Sequence, residues 1–200
     1  MEQAILKAAE ELFLEHGFEA TSTVKIAKTV GCNQALVHYY FRTKDNLFNT
    51  IFESKFKRFF EKTFDMVDLS NKSFSEKILY FADSHFNLLL ENPNLPKLIL
   101  KELARKPENI RSLYDKLHML PEKLIAAMNH ELTKAVEAGE VRNISLMDII
   151  LTIVTLNFSL FSLMPVACDV LGMDKTSSEK LMKHRREENT KLISAYLKPV

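Results

Sequence analysis

The 200-residue sequence predicts an all-α protein of about nine helices, and three observations carry that expectation. Glycine occurs only 4 times and proline 6 times, too rarely for a chain built on turns. Apolar residues recur at spacings of three and four along most of the length, and the abundant Leu, Lys, Glu, Phe and Ala favour helix. No stretch alternates apolar and polar residues as a half-buried strand would, and no internal repeat or low-complexity linker interrupts the pattern.

A first helix is expected over 2–16, with Ile5, Ala9, Leu12 and Phe13 on one face. Gly17 fits the left-handed position just past its end, and Phe18 follows to pack back on Phe13. Ser22 or Thr23 can cap a second helix over 23–30, which Gly31 stops. Asn33 can cap a third, "QALVHYYF", and Thr43 a fourth. The fourth is long, with Leu47, Ile51, Phe52, Phe56, Phe59, Phe60 and Phe64 at helical spacing. Further helices are expected over 74–91, 95–105, 109–118, 121–139, 145–164 and 176–197. Pro93, Pro96, Pro107 and Pro121 fall at their starts or joints, and Pro165 at the end of the apolar one.

Bulk properties narrow the class. Apolar residues make up 46% and charged residues 26%, an ordinary globular balance with enough material for a core. Cys32 and Cys168 lie far apart and match no metal spacing, which fits a reduced, cytoplasmic compartment. The N-terminus is amphipathic and acidic, with neither the basic nor the apolar region of a signal peptide. Residues 149–168 carry no charge and are long enough to span a bilayer. Thr152, Thr155, Asn157, Ser159 and Ser162 interrupt them, and no flanking Lys/Arg excess accompanies them, so a helix buried in the core or in a subunit interface is expected instead of a membrane span. There is no Gly-rich phosphate loop, no H-E-x-x-H and no Ser-His-Asp order, and the six histidines form no i, i+4 pair. No catalytic residue, metal site or cofactor is therefore expected.

Net charge is +1, but its distribution is uneven. Between Ser22 and Arg58, seven Lys/Arg (residues 25, 28, 42, 44, 55, 57 and 58) face only Asp45 and Glu53, a local +5 that leaves −4 for the rest. Such a segment is either a phosphate footprint or a solvated basic surface.

Thr23 to Arg42 meets the requirements of a helix-turn-helix. Ala27 is small where a second helix must cross, Gly31 can take positive φ at the turn, and Ile26, Val30 and Val37 can fill the crevice. Gln34, His38 and Tyr39 then make a polar outward face, with Ala35 and Leu36 suited to a thymine methyl. Helical corners of enzymes can share this spacing.

Over Ile5 to Phe48 the residues "ILKAAEELFLEHGFEATSTVKIAKTVGCNQALVHYYFRTKDNLF" resemble the DNA-binding domain of the TetR family of bacterial regulators. The marks are the "A..LF...G...T" opening, "IA...G" in the second helix, "YF" closing the third and the "TKDNL" entry to the fourth. Two departures stand out: Lys25 replaces the frequent acidic partner of a capping box with Ser22, and His38 replaces a common tyrosine.

The resemblance implies a DNA-binding domain over residues 1–46 and a ligand-binding and dimerisation domain over 47–200. The expected partners are double-stranded DNA, a small-molecule effector and a second copy of the chain, with no membrane. Gln34 and His38 are expected at base edges, and Asn33, Ala35 and Leu36 beside them. Tyr39, Tyr40 and Lys44 are expected on phosphate with Ser22, Thr23 and Lys25, although the Tyr40 ring could instead pack beside Val37. The apolar helix and the stripe Leu181, Leu192, Ile193, Tyr196 and Leu197 of the last helix are the expected dimer faces. Phe86, His118, Asn157 and Phe161 are candidate effector contacts, against the competing readings of a satisfied core asparagine and a surface histidine. A helical adaptor that binds protein instead of DNA is the alternative function.

Overall fold

The structure is a computed structural model and describes residues 1–51, 53–54, 71–97, 99–100 and 122–199. Every regular element among these residues is a helix. The chain divides into two compact units: one holds residues 1–51, and residues 71–96 and 122–199 belong to the other.

The first unit contains α1 (Glu2–His16), α2 (Thr23–Val30), α3 (Gln34–Phe41) and the start of α4 at 44–51. Ile5, Ala9, Leu12 and Phe13 meet Ile26 and Ala27 from α2, Val37 and Phe41 from α3, and Leu47 and Phe48 from α4. Phe18 stacks on Phe13 with ring centroids 5.6 Å apart, and Phe48 sits edge-on to both at 5.4 and 5.3 Å. Aromatic pairs in these arrangements add stability beyond the area they bury.

The loop after α1 departs from expectation. Gly17 has positive φ but an extended ψ (84° and 170°), not the left-handed helical pair. The reason lies at Thr21, which is fully buried. Its hydroxyl lies 2.9 Å from the Gly17 carbonyl and 3.1 Å from that of Leu12, so the backbone at Gly17 turns to serve this side chain. Gly31 does adopt the left-handed conformation (74°, 32°). There the Cys32 N–H donates to the Ala27 carbonyl at 2.9 Å and the Gly31 N–H to that of Lys28 at 3.2 Å, the paired bonds of a Schellman ending.

In the second unit, α5 (Phe74–Glu91), α6 (Glu122–Glu137), α7 (Leu146–Val170) and α8 (Lys175–Leu197) surround a core that includes Ile78, Ala82, Leu132, Ile149, Ile153 and Ile193. A complete capping box starts α5: the Ser73 hydroxyl accepts from the Glu76 N–H, and the Glu76 carboxylate accepts from the Ser73 N–H at 2.8 Å. Lys77 is buried and donates to both carboxylate oxygens of Glu131, at 2.7 and 2.6 Å, tying α5 to α6.

Two expectations need correction here. The apolar helix does not end at Pro165 but continues through it to Val170. A proline inside a helix forfeits one backbone bond and crowds the carbonyl four residues earlier, at Phe161, which weakens the helix without obliging it to stop. It stops where Gly172 can take positive φ (61°), with the Met173 N–H on the Cys168 carbonyl at 2.9 Å. The apolar stripe of the last helix also divides. Ile193 and Leu197 are buried in the protomer's own core with Asn189 one turn earlier, and Leu192 faces outward. The helices expected over 109–118 and beyond residue 100 lie outside the described residues.

A polar seam runs between α5, α7 and α8. Asn157 is 1% exposed. Its amide nitrogen lies 3.0 Å from the Ala82 carbonyl and 3.2 Å from His85 Nδ1, while its oxygen accepts from Asn189 at 3.0 Å. Arg185 in turn donates to the Asn189 oxygen at 3.1 Å. Beside the seam, Arg186 Nε donates to Asp83 at 2.7 Å and its guanidinium lies over the Phe86 ring. Burial pushes the pKa of His85 down to about 4, so its ring is neutral in the fold.

Two stability predictions follow from these contacts. Thr21→Val should cost about 1–3 kcal/mol in urea unfolding, because two carbonyls lose their donor; a change below about 0.5 kcal/mol would show the hydroxyl to be dispensable. For His85, the folded pKa lies below the free value of 6.5, so its neutral burial is free of penalty above that pH and destabilises as pH falls from 6.5 towards 4. Relative to His85→Gln, the native chain should lose about 3 kcal/mol across that window. Unfolding free energies measured at pH 7 and pH 4 check this, and parallel curves would contradict it.

Candidate nucleic-acid interface

The outward face of α3 follows from its inward one. Val37 and Phe41, one turn apart, are buried against α1 and α2. At 3.6 residues per turn this directs residues 35 and 39 to the opposite side and residue 38 to the flank. Ala35, His38, Tyr39 and Tyr40 are exposed, Tyr39 by 68%, while Gln34 and Leu36 are half-exposed. The Tyr39 and Tyr40 rings meet edge-on at 5.3 Å, and Tyr40 also approaches the Phe41 ring at 6.2 Å.

Capping fixes where this helix begins. The Asn33 side chain accepts from the Ala35 N–H at 2.9 Å, which places Asn33 and Gln34 at the helix entrance. The Ser22 hydroxyl accepts from the Lys25 N–H at 3.1 Å, the forward half of a capping box. A lysine at position 25 cannot supply the return half, and its exposed ammonium instead stands in the first turn of α2. Lys28 and Arg42 are exposed too. Lys44 is drawn inward: its ammonium donates to the Phe18 carbonyl at 3.0 Å and lies 4.0 Å above the Phe18 ring. Lys55, Lys57 and Arg58 fall outside the described residues.

A chain of side chains crosses the turn. Gln34 Nε2 donates to the Thr23 hydroxyl oxygen at 3.0 Å and lies 3.2 Å from His38 Nε2. His38 Nδ1 in turn lies 3.0 Å from the Arg42 carbonyl. Arg42 adopts positive φ (62°, ψ −54°), and the Thr43 N–H closes onto the Phe41 carbonyl at 2.6 Å, making a tight γ-turn. The Thr43 hydroxyl oxygen then accepts from the Asn46 N–H at 3.0 Å and caps α4. The role of Arg42 was not evident from sequence, although its spacing of four from His38, itself four from Gln34, is the signal that could have shown it.

Of the candidate effector contacts, Phe86 and Phe161 are both buried and form an edge-on pair with centroids 5.1 Å apart. Asn157 lies one turn from Phe161, engaged in the polar seam. His118 lies outside the described residues.

Residues 5–51 match the family described as bacterial regulatory proteins, tetR family. The fatty acid metabolism regulator protein of Bacillus subtilis (strain 168) is 27% identical over 139 residues, 69% of each chain. The regulator QacR of Staphylococcus aureus is 37% identical over 65 residues, 31% of this chain and 35% of its own length. In fold, the chain is similar to the crystal structure of the transcriptional regulator FadR from Bacillus subtilis in complex with stearoyl-CoA, with TM-score 0.65 at 21% identity, covering 98% of this chain and 100% of that one. The family match thus covers residues 5–51, and the likeness to solved structures, at 21% identity, extends the same fold over nearly the whole chain.

Proposed function

We propose that this regulator is a cytoplasmic repressor that binds a palindromic operator as a homodimer and leaves it when an amphipathic effector binds. The observation that carries the DNA reading is the outward polar face of α3, held in place by the burial of Val37 and Phe41. In this reading residues 1–46 are the reading head and 47–200 bind the effector and the second copy. Gln34 meets a base edge, with His38 held against it and Asn33, Ala35 and Leu36 alongside. Ser22, Thr23, Lys25, Tyr39 and Tyr40 hold phosphates. Lys44 supports the same surface from the Phe18 carbonyl.

The effector proposed is a long-chain acyl thioester. Two relatives support this class: a regulator named for fatty acid metabolism and a FadR structure that carries stearoyl-CoA. An acyl chain needs apolar surface with few polar contacts. Phe86 and Phe161 supply such surface, with Asn157 ordering the helices behind them and His118 a further contact. To release DNA, the effector must bind the two states of the dimer with different affinity.

Dimerisation is proposed through the outer face of α7. This helix is long and apolar enough to cross a membrane by length and composition alone. One face packs inside the protomer through Ile149, Ile153 and Phe161, and the other exposes Met147, Leu151, Leu163, Val166 and Val170, near the exposed Leu192 of α8 in character. A second copy would cover this apolar stripe by two-fold symmetry.

Enrichment of bound fragments from random duplex DNA tests the function: a palindromic consensus is the expected result, and no enrichment would overturn it. Operator affinity should fall steeply with salt as counterions are released, a response that protein-only binding would lack. Lys25→Glu should weaken binding to all sequences alike and reduce the salt slope by about 1 per protomer. The same change should raise unfolding free energy by about 0.5 kcal/mol or more, because glutamate completes the capping box. An unchanged slope would remove Lys25 from the interface. Leu151→Asp combined with Leu163→Asp should convert the dimer to monomer in sedimentation experiments and abolish operator binding, and a dimer that persists would place the interface elsewhere.

A further inference from the structure

The bonds around Gln34 determine which atom of that side chain is offered to DNA. The Arg42 backbone carbonyl accepts hydrogen bonds and cannot donate them. His38 Nδ1 lies 3.0 Å from it, so the ring proton is on Nδ1. In the neutral imidazole Nε2 then carries the lone pair and accepts. The atom of Gln34 that faces Nε2 at 3.2 Å must therefore be a donor, the amide nitrogen. Its second hydrogen goes to the Thr23 hydroxyl oxygen at 3.0 Å. Both hydrogens of the Gln34 amide are thus used within the protein. The reverse orientation would set the amide oxygen against the Nε2 lone pair, two acceptors face to face.

A fixed backbone atom, two steps away, thereby sets an amide orientation that would otherwise be free. The remaining group is the Gln34 oxygen, which accepts no hydrogen bond among the described residues. A glutamine that reads adenine in the usual bidentate way uses its oxygen on N6 and its nitrogen on N7. Here the nitrogen is committed, and the oxygen alone is available. An acceptor in the major groove recognises an exocyclic amine, which adenine presents at N6 and cytosine at N4, while guanine and thymine present carbonyl oxygens at the corresponding positions.

We propose that the Arg42–His38–Gln34–Thr23 chain makes Gln34 an acceptor-only reader that selects an amino base, adenine or cytosine, over a keto base at one position of each half-site. This rests on the operator-binding reading above. His38 acts as a positioning residue, through Gln34. Replacing it by a side chain that only donates should reverse the amide: Gln34 would turn its oxygen to the new donor and its nitrogen outward, and the favoured base would become guanine or thymine.

The test is enrichment from random duplex DNA with the full-length native protein, His38→Lys and Gln34→Ala, each first checked for native helicity by circular dichroism. The native protein should give a palindrome with one position per half-site restricted to adenine or cytosine, preferred about five- to tenfold over guanine or thymine, the worth of a single base-edge bond. Gln34→Ala should erase the preference at that position alone, and His38→Lys should invert it to guanine or thymine. A palindrome with no position restricted to amino bases would overturn the acceptor-only reading and leave operator binding intact. So would a Gln34-dependent position that His38→Lys leaves unchanged. Failure of the native protein to enrich any sequence would instead overturn operator binding, and this proposal with it.

Discussion

The reading head depends on the burial of two residues, Val37 and Phe41. They dock an eight-residue helix that is too short to be stable alone. Their spacing of one turn leaves a single rotation of that helix compatible with a dry core. The consequences spread outward from this constraint. The exposed face is set by geometry before any side chain on it is chosen, so its polar residues are free to vary with the sequence being read. Their bonds to each other, from Thr23 through Gln34 and His38 to Arg42, then orient that face without drawing on the core.

The two units hold their polar groups differently. In the first, side chains mostly serve the ends of helices: Ser22, Asn33 and Thr43 each accept a backbone N–H that the helix leaves unpaired. In the second, besides caps such as Ser73, polar groups also cross between helices inside. Asn157, Asn189 and His85 cross between three helices, and Lys77 reaches Glu131 from a buried site. A buried polar group left unpaired costs more than a paired one returns, so a seam of this kind fixes one packing of α5, α7 and α8 against its alternatives.

Sequence made much of this legible, and the remainder has physical causes. The helices over 23–30 and 34–41 stood out because caps, glycine and apolar spacing all agree there, whereas the capping box of Ser73 and Glu76 that starts 74–91 emerged only in the structure. Pro165 misled because a proline lowers the stability of a helix by an amount that tertiary packing can offset, so sequence alone could not say whether this one stops. Gly17 showed that a residue of unusual freedom was needed but not which conformation it takes, since Thr21, the side chain that decides, is four residues away. Lys77 and His85 look like surface residues in any one-dimensional reading, and only the approach of Glu131 and Asn157 from distant parts of the chain makes them interior. The outward direction of Tyr39 was accessible from period alone, whereas Gln34, at the same helical register as Val37 and Phe41, is half-exposed only because it stands at the helix entrance. The bonds that orient Gln34 and His38 were not accessible, because they rest on a carbonyl beyond the end of the helix.

That carbonyl belongs to a connection of unusual economy. Between the last residue of the reading helix and the residue that caps the next, the chain spends only Arg42, folded into a γ-turn. A loop of several residues would act as a slack tether and dissipate any displacement of α4 before α3 felt it. A one-residue joint has no slack, so the first turns of α4 and the reading helix are geared together. A tilt of one becomes a rotation of the other, and the His38 clamp on the joint would register the movement at the Gln34 amide.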